Sequence, residues 1–207
     1  MSDRITTPDS PTDTPVILVH GIWDTHQIFK PMRTYLERQG FTVYGLDLIA
    51  ADGSLPLEAL AKQLDVFVAQ TIAPAQPFNL VGFSMGGIVS RYYLQRLGGL
   101  QRVSRFVTIA SPHQGTIIAW LTHQPGGKQM RPFSPFLNDL NHDIEQLQQV
   151  AFTSIWTPFD LMIVPAWSSV TPPAEAQIVP VLLHKWMVYD DRVFAKVVAA
   201  LTAQTSD

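Results

Sequence analysis

The stretch from Phe78 to Gly99 constrains this chain more than any other. Phe78-Asn79-Leu80-Val81 reads as a buried strand, Gly82-Phe83-Ser84-Met85-Gly86 as a sharp turn, and the residues beyond it, ending near Gly98-Gly99, as a helix. A strained turn of this kind needs flanking residues that do not crowd it, and the glycines at 82 and 86 meet that need. The serine between them would stand at the top of a sheet with its hydroxyl open. Pentapeptides of the form G-x-S-x-G also arise by chance, and a Gly-rich βα turn is the bland reading. The strand before and helix after are what give this one weight.

The rest of the chain repeats the same alternation. Candidate strands run from Val16 to His20, Thr42 to Leu46, Phe78 to Gly82, Arg105 to Ala110, Ala151 to Trp156 and Gln177 to Leu182. Between them, Ile28, Met32, Tyr35 and Leu36 fall at helical spacing and stop at Gly40, while Leu57, Leu60, Leu64, Phe67 and Val68 form a second stripe entered through Pro56. Tyr189, Val193, Phe194, Val197 and Leu201 form a last one. Strands separated by helices imply a parallel sheet covered on both faces, and neither a repeat nor a low-complexity linker divides it.

Composition narrows the function. With 207 residues, 46% of them hydrophobic and 15% charged, the chain can fill one sizeable core. A formal net charge of −3 provides no basic surface for nucleic acid. The absence of cysteine excludes disulfides, thiolate catalysis and zinc–thiolate sites, and is compatible with any redox compartment. Residues 1–14, rich in Ser, Thr, Asp and Pro, read as a disordered leader without the features of a signal peptide, and no apolar run is long enough to span a membrane. These features favour a cytoplasmic location, with secretion the alternative if a signal has been removed.

A serine hydroxyl at neutral pH needs a base, a group to orient the base, and donors for the charge that develops on the attacked carbonyl. The apolar strand Pro15 to Val19 runs directly into His20-Gly21-Ile22-Trp23. With Gly82-Phe83-Ser84-Met85-Gly86-Gly87, Thr108 to Thr116 (which contains Ser111-Pro112-His113), Thr153 to Val164 and Leu182-Leu183-His184, this segment resembles the α/β-hydrolase-fold lipases and esterases, in particular the small, nearly capless bacterial lipases. The likeness covers most of the chain. It implies a single-domain α/β-hydrolase fold over residues 15–207, with a mainly parallel sheet of about six strands. It also implies Ser84 as nucleophile, Asp160 as acid and His184 as base, and the N–H groups of Ile22 and Met85 as oxyanion donors. Leu183 departs from the pattern, because many relatives carry glycine there.

The implied reaction is hydrolysis of a carboxylic ester with an apolar acyl group, on a small-molecule ester or lipid substrate, and it requires no cofactor or metal. Thioester or amide hydrolysis, acyl transfer and non-catalytic ligand binding remain the alternatives. Residues 115–150, dense in Pro and Gly and then helical through Leu137, Leu140, Ile144 and Leu147, read as a short lid or pocket wall, or else as a surface loop with a packing helix. Trp23, Phe83, His113, Trp120 and Phe133 are the candidate substrate contacts; if the segment is a lid, Trp120, Phe133 and Phe136 line an acyl groove or make a transient contact with a lipid surface. For His113 a structural place in the wall competes with a catalytic one. His20 and Asp47 read as structural, Asp190 and Asp191 as helix caps, and Trp156, Phe159 and Trp167 as core aromatics ahead of a pocket-lining role. His26, His123 and His142 have no supporting context.

Overall fold

A computed structural model describes residues 13–203. The leader expected over 1–14 falls outside the described residues except for its last two positions. Six strands form one parallel sheet in the order β2-β1-β3-β4-β5-β6. They are β1 (Val16–Val19), β2 (Val43–Leu46), β3 (Phe78–Phe83), β4 (Val103–Ile109), β5 (Ala151–Trp156) and β6 (Glu175–Ile178). The helices are α1 (Lys30–Arg38), α2 (Leu57–Thr71), α3 (Met85–Arg96), α4 (Pro125–Gln129), α5 (Pro135–His142) and α6 (Asp191–Thr202).

Alternation along the central strands divides the core into two layers. Ile17, Val19 and Leu80 face a cluster with Leu57, Leu60, Leu64, Ile88 and Val89 from α2 and α3. Val16, Leu18, Val81 and Phe83 face the other way, onto Met32 and Leu36 of α1 and Val193, Phe194 and Val197 of α6. Every residue of β1 and β3 is buried, which explains why both read as continuous apolar runs.

The chain order then fixes where a ligand fits. From β1 it passes to β2 on one side, then returns to β3 on the other, so the connections leaving β1 and β3 diverge and open a crevice at the carboxyl ends of those strands. The turns at that crevice are His20-Gly21-Ile22 and the one bearing Ser84.

Several elements differ from their expected form, each for a local reason. The last strand ends at Ile178 instead of Leu182, because Pro180 has no N–H to extend the ladder; Val179 makes the last bond, to the Trp156 carbonyl at 2.9 Å. The helical run from Leu137 to Leu147 is two pieces, α5 and a 3₁₀ turn Ile144–Gln149. They part at Asp143, whose carboxylate accepts hydrogen bonds from Gln95, Arg96 and Gln146. Helix α1 is preceded by a separate 3₁₀ turn, His26–Phe29. Asp190 caps α6 by accepting the N–H of Arg192 at 2.9 Å, and Asp191 opens the first turn. Phe159 and Trp167 are not core: they are 49% and 61% exposed.

Candidate active site

The turn after β3 is strained at one residue. Ser84 has φ 53° and ψ −125°, a conformation that L-residues rarely adopt, and its N–H donates to the Ile109 carbonyl at 2.8 Å. The flanking glycines make the turn possible. A Cβ on Gly82 would lie 2.6 Å from Gly87 Cα, and one on Gly86 would overlap the carbonyl oxygens of Val19 and His20. Helix α3 therefore starts directly against β1, and Met85, its first residue, has an N–H with no partner inside the helix.

The loop after β1 sits beside it. His20 is buried; its Nε2 accepts the Leu48 N–H at 3.0 Å and its Nδ1 lies 2.8 Å from the Gly21 carbonyl, an arrangement that suits a neutral ring with the proton on Nδ1. Burial pushes this ring below the usual imidazole range, against the opposing pull of the Gly21 carbonyl. The Trp23 N–H donates to the Ala51 carbonyl at 2.9 Å, whereas that of Ile22 has no acceptor among the described residues. Two backbone donors, Ile22 in the loop after β1 and Met85 at the start of α3, are thus left uncommitted beside Ser84.

Asp160 and His184, 24 residues apart, are brought together at the same edge of the sheet. Asp160 is buried in the loop after β5, where Oδ1 accepts the N–H groups of Met162 at 2.8 Å and Ile163 at 2.9 Å. Its Oδ2 lies 2.7 Å from His184 Nδ1. His184 opens the 3₁₀ turn His184–Val188, and its ring packs on Phe83 at 4.9 Å between centroids. Leu183 precedes it in extended backbone, so no glycine is required at that position to bring the ring onto the carboxylate.

Two cavities meet at Ser84. The smaller, about 250 Å³, is lined by Ile22, Trp23, Asp24, Phe83, Ser84, Met162, His184 and Lys185. No hydrogen bond joins Ser84 to His184 among the described residues, but both side chains border this space. The larger, about 480 Å³, runs from Ser84 and Pro112 past Thr116, Ala119 and Thr122 to Met130 and Ile163, and its wall is almost wholly apolar. Residues 116–130 therefore form a cavity wall. A wider depression of about 600 Å³ between Pro180 and Arg192 holds none of these side chains.

Of the expected substrate and groove residues, Trp23 and Phe83 line these cavities and four others do not. His113 is fully buried behind the site, with Nε2 3.0 Å from Thr108 Oγ1 and its edge to Phe152. Burial first, and then the charge of Arg91, holds its ring well below the usual imidazole range. Trp120 is 59% exposed, covered on one face by the Arg131 guanidinium at 4.3 Å. Phe133 is 87% exposed on a residue with φ 60°. Phe136 is buried and stacked on Tyr92. Sequence reasoning missed Thr116, Ile118, Ala119, Met130, Met162 and Ile163. Thr116 carried a usable signal, an N-cap residue after glycine: it caps the 3₁₀ turn Ile117–Leu121 and ties it to the Asp160 loop through Met162 and Val164. Asp47 is structural, receiving both the N–H and the ring nitrogen of His26, which gives His26 its role.

Residues 14–170 match the family model described as alpha/beta hydrolase fold, and the chain belongs to that family. Among characterised relatives, a 107-residue stretch covering 49% of the chain is 35% identical to the lysosomal thioesterase PPT2 of Bos taurus, over 34% of that protein. A 113-residue stretch covering 51% of the chain is 32% identical to a triacylglycerol lipase of Pseudarthrobacter phenanthrenivorans, over 35% of it. The chain thus matches about a third of the length of these relatives. Among solved structures, the mature form of the Bacillus licheniformis lipase BlEst2 superposes with a TM-score of 0.74 at 16% identity, covering 97% of this chain and 96% of that one. Aspergillus fumigatus lipase B gives a TM-score of 0.75 at 17% identity, covering 92% of this chain and 53% of that one. At these identities the superpositions show a shared fold.

Proposed function

We propose that the protein hydrolyses carboxylic esters with an apolar acyl group through an acyl-enzyme on Ser84. The reading rests on one observation above the rest: a buried carboxylate, Asp160, 2.7 Å from the ring of His184, beside a cavity that Ser84 also borders. In this reading Asp160 fixes the tautomer of His184 and stabilises the imidazolium formed when its other nitrogen takes the serine proton. Ser84 attacks the carbonyl carbon, and the N–H groups of Ile22 and Met85 stabilise the negative oxygen. The carbonyl re-forms as the alcohol leaves with the proton from His184. Water, activated by the same ring, then releases the acid.

The exposed apolar side chains around the opening suit a substrate presented in emulsion. Trp23 and Leu121 border the cavities, Phe159 and Leu161 flank Asp160, and Leu183 and Trp186 lie beside His184. Hydrolysis of thioesters is the second reading, favoured by the stretch shared with a lysosomal thioesterase, and the same three side chains would serve it.

Covalent labelling tests the nucleophile. A fluorophosphonate probe should label the wild-type chain and fail on Ser84→Ala, and matched oxygen and thiol esters of one acid should rank the two bond types. Labelling that persists in Ser84→Ala would move the nucleophile elsewhere.

A further inference from the structure

We infer that Thr116 is a positioning residue for the acid: its hydroxyl holds the loop whose backbone orients Asp160, and so joins the wall of the larger cavity to the imidazole of His184. This inference rests on the serine-hydrolase reading above. Thr116 is buried, and its Oγ1 donates to the Met162 carbonyl at 2.8 Å while accepting the N–H groups of Val164 at 3.0 Å and Ile118 at 3.3 Å. Met162 in turn donates its own N–H to Asp160 Oδ1 at 2.8 Å, and Asp160 Oδ2 lies 2.7 Å from His184 Nδ1. An unbroken series of hydrogen-bonded groups thus runs from residue 116 to the ring assigned the part of base.

The loop needs a hold on this side. Its near end is tied to the segment before His184, where the Thr157 hydroxyl donates to the Val181 carbonyl at 2.7 Å and accepts the Val181 N–H at 3.2 Å. Past Asp160 the packing thins: Leu161 is 71% and Met162 39% exposed, and of residues 161–164 only Ile163 is buried. Thr116 supplies the far anchor, and it is itself fixed from the opposite direction, since its N–H donates to the Met130 carbonyl at 2.9 Å. The neighbouring Ile117 N–H donates to the Val164 carbonyl at 2.9 Å, a bond made by backbone alone that survives loss of the hydroxyl. Removing Oγ1 should therefore slacken the loop without detaching it. Thr116 also borders the larger cavity, but exchanging its hydroxyl for a methyl group makes that wall more apolar, so activity lost in Thr116→Val cannot come from weaker binding of an apolar chain.

A comparison of Thr116→Val and Thr116→Ser with the wild type decides the matter. Nitrophenyl esters of several acyl lengths serve as substrates, and fluorophosphonate titration run to completion counts the active sites, so that unfolded chains do not enter kcat. Thr116→Val is expected to lower kcat by roughly 10- to 10²-fold with KM within about two-fold of wild type, the pattern of a displaced catalytic group. The fall should be alike for every acyl length, and the Nδ1 proton resonance of His184 should broaden or move. Thr116→Ser keeps the oxygen and should restore most of kcat together with the wild-type resonance. An unchanged kcat in Thr116→Val, an equal fall in Thr116→Ser, or a fall confined to long acyl chains would overturn the positioning role while leaving ester hydrolysis intact. If Thr116→Val fails to melt cooperatively, Thr116→Ala removes the same oxygen without setting a methyl group against the Met162 carbonyl, and the same outcomes apply to it. No turnover of these esters or of their thioester counterparts by the wild type would instead remove the hydrolase reading, and this inference with it.

Discussion

At the scale of single residues, the site depends on where side chains are missing as much as on where they are present. Ser84 can hold a positive φ because α3 meets β1 without a Cβ at Gly86, so an alanine there should push the helix start away from the strand. Gly86→Ala is expected to destabilise the fold by about 1–3 kcal/mol, read as a lower urea midpoint, since the overlap is with backbone oxygens and no flexible side chain can yield. An unchanged midpoint would mean that α3 can shift away from β1 at no cost. In the proposed mechanism, Asp160→Asn keeps the shape but loses the charge that orients His184 and stabilises its imidazolium. A fall in kcat of about 10⁴-fold with near wild-type melting is expected, and steady-state kinetics on a nitrophenyl ester would reveal a smaller role. The turn bearing Ser84 was legible in the sequence because its glycines mark it, whereas Ile22 and Met85 were nominated through the resemblance. Asp160 and His184 were reached through resemblance. Phe159 and Trp167 misled as core candidates, because bulk alone does not say which way a side chain on an irregular loop points.

At the scale of elements, the segment 115–150 behaves as two parts. Its first half is stitched to the Asp160 loop through Thr116 and to α2 through Gln129, which accepts the Leu57 N–H at 2.6 Å and donates to Glu58. Its second half is held by α3. Arg91, fully buried, donates to the Leu140 carbonyl at 2.9 Å and to Asn141 Oδ1 at 3.0 Å, and burial lowers it to about 9 despite the nearby Asp143. Arg96 adds contacts to Asp139 and Asp143. We propose that these contacts hold the segment as a wall of the site and not as a moving lid. Arg91→Ala should therefore cost about 1–3 kcal/mol for each buried acceptor left unpaired and raise amide exchange selectively over α5 and the following 3₁₀ turn. Protection unaltered there would take Arg91 out of that role. The periodic helices could be read in advance because each buries one stripe. The segment 115–150 could be read as a lid or pocket wall, but its break at Asp143 could not, since that depends on partners in α3.

At the scale of the whole molecule, the strand order puts the loops after β1 and β3 at one crevice, and two histidines in this end of the fold are buried where they cannot readily take a proton. His20 accepts a hydrogen bond from Leu48 through the nitrogen that protonation would occupy, and His113 lies in apolar surroundings close to the Arg91 guanidinium. Both rings are held below their unfolded value of 6.5. The sign follows from which state binds more protons. Above pH 6.5 neither state is protonated at these sites and the stabilising packing is fully expressed. As pH falls below 6.5 the unfolded chain takes up protons that the folded one refuses, so stability drops, by up to about 1.4 kcal/mol per pH unit for each ring, until the folded rings themselves titrate. Asp47 and Asp190, held below their usual 3.8 partly by bonds from His26 and Arg192, lose their contribution only at far lower pH and do not blur this window. Urea midpoints are thus expected to fall between pH 7.5 and 5.5, with the larger share from His113, whose ring is pushed down further. His113→Phe should flatten that pH dependence even if it lowers stability overall, and a wild-type midpoint that stays level across the interval would mean that the rings charge in place.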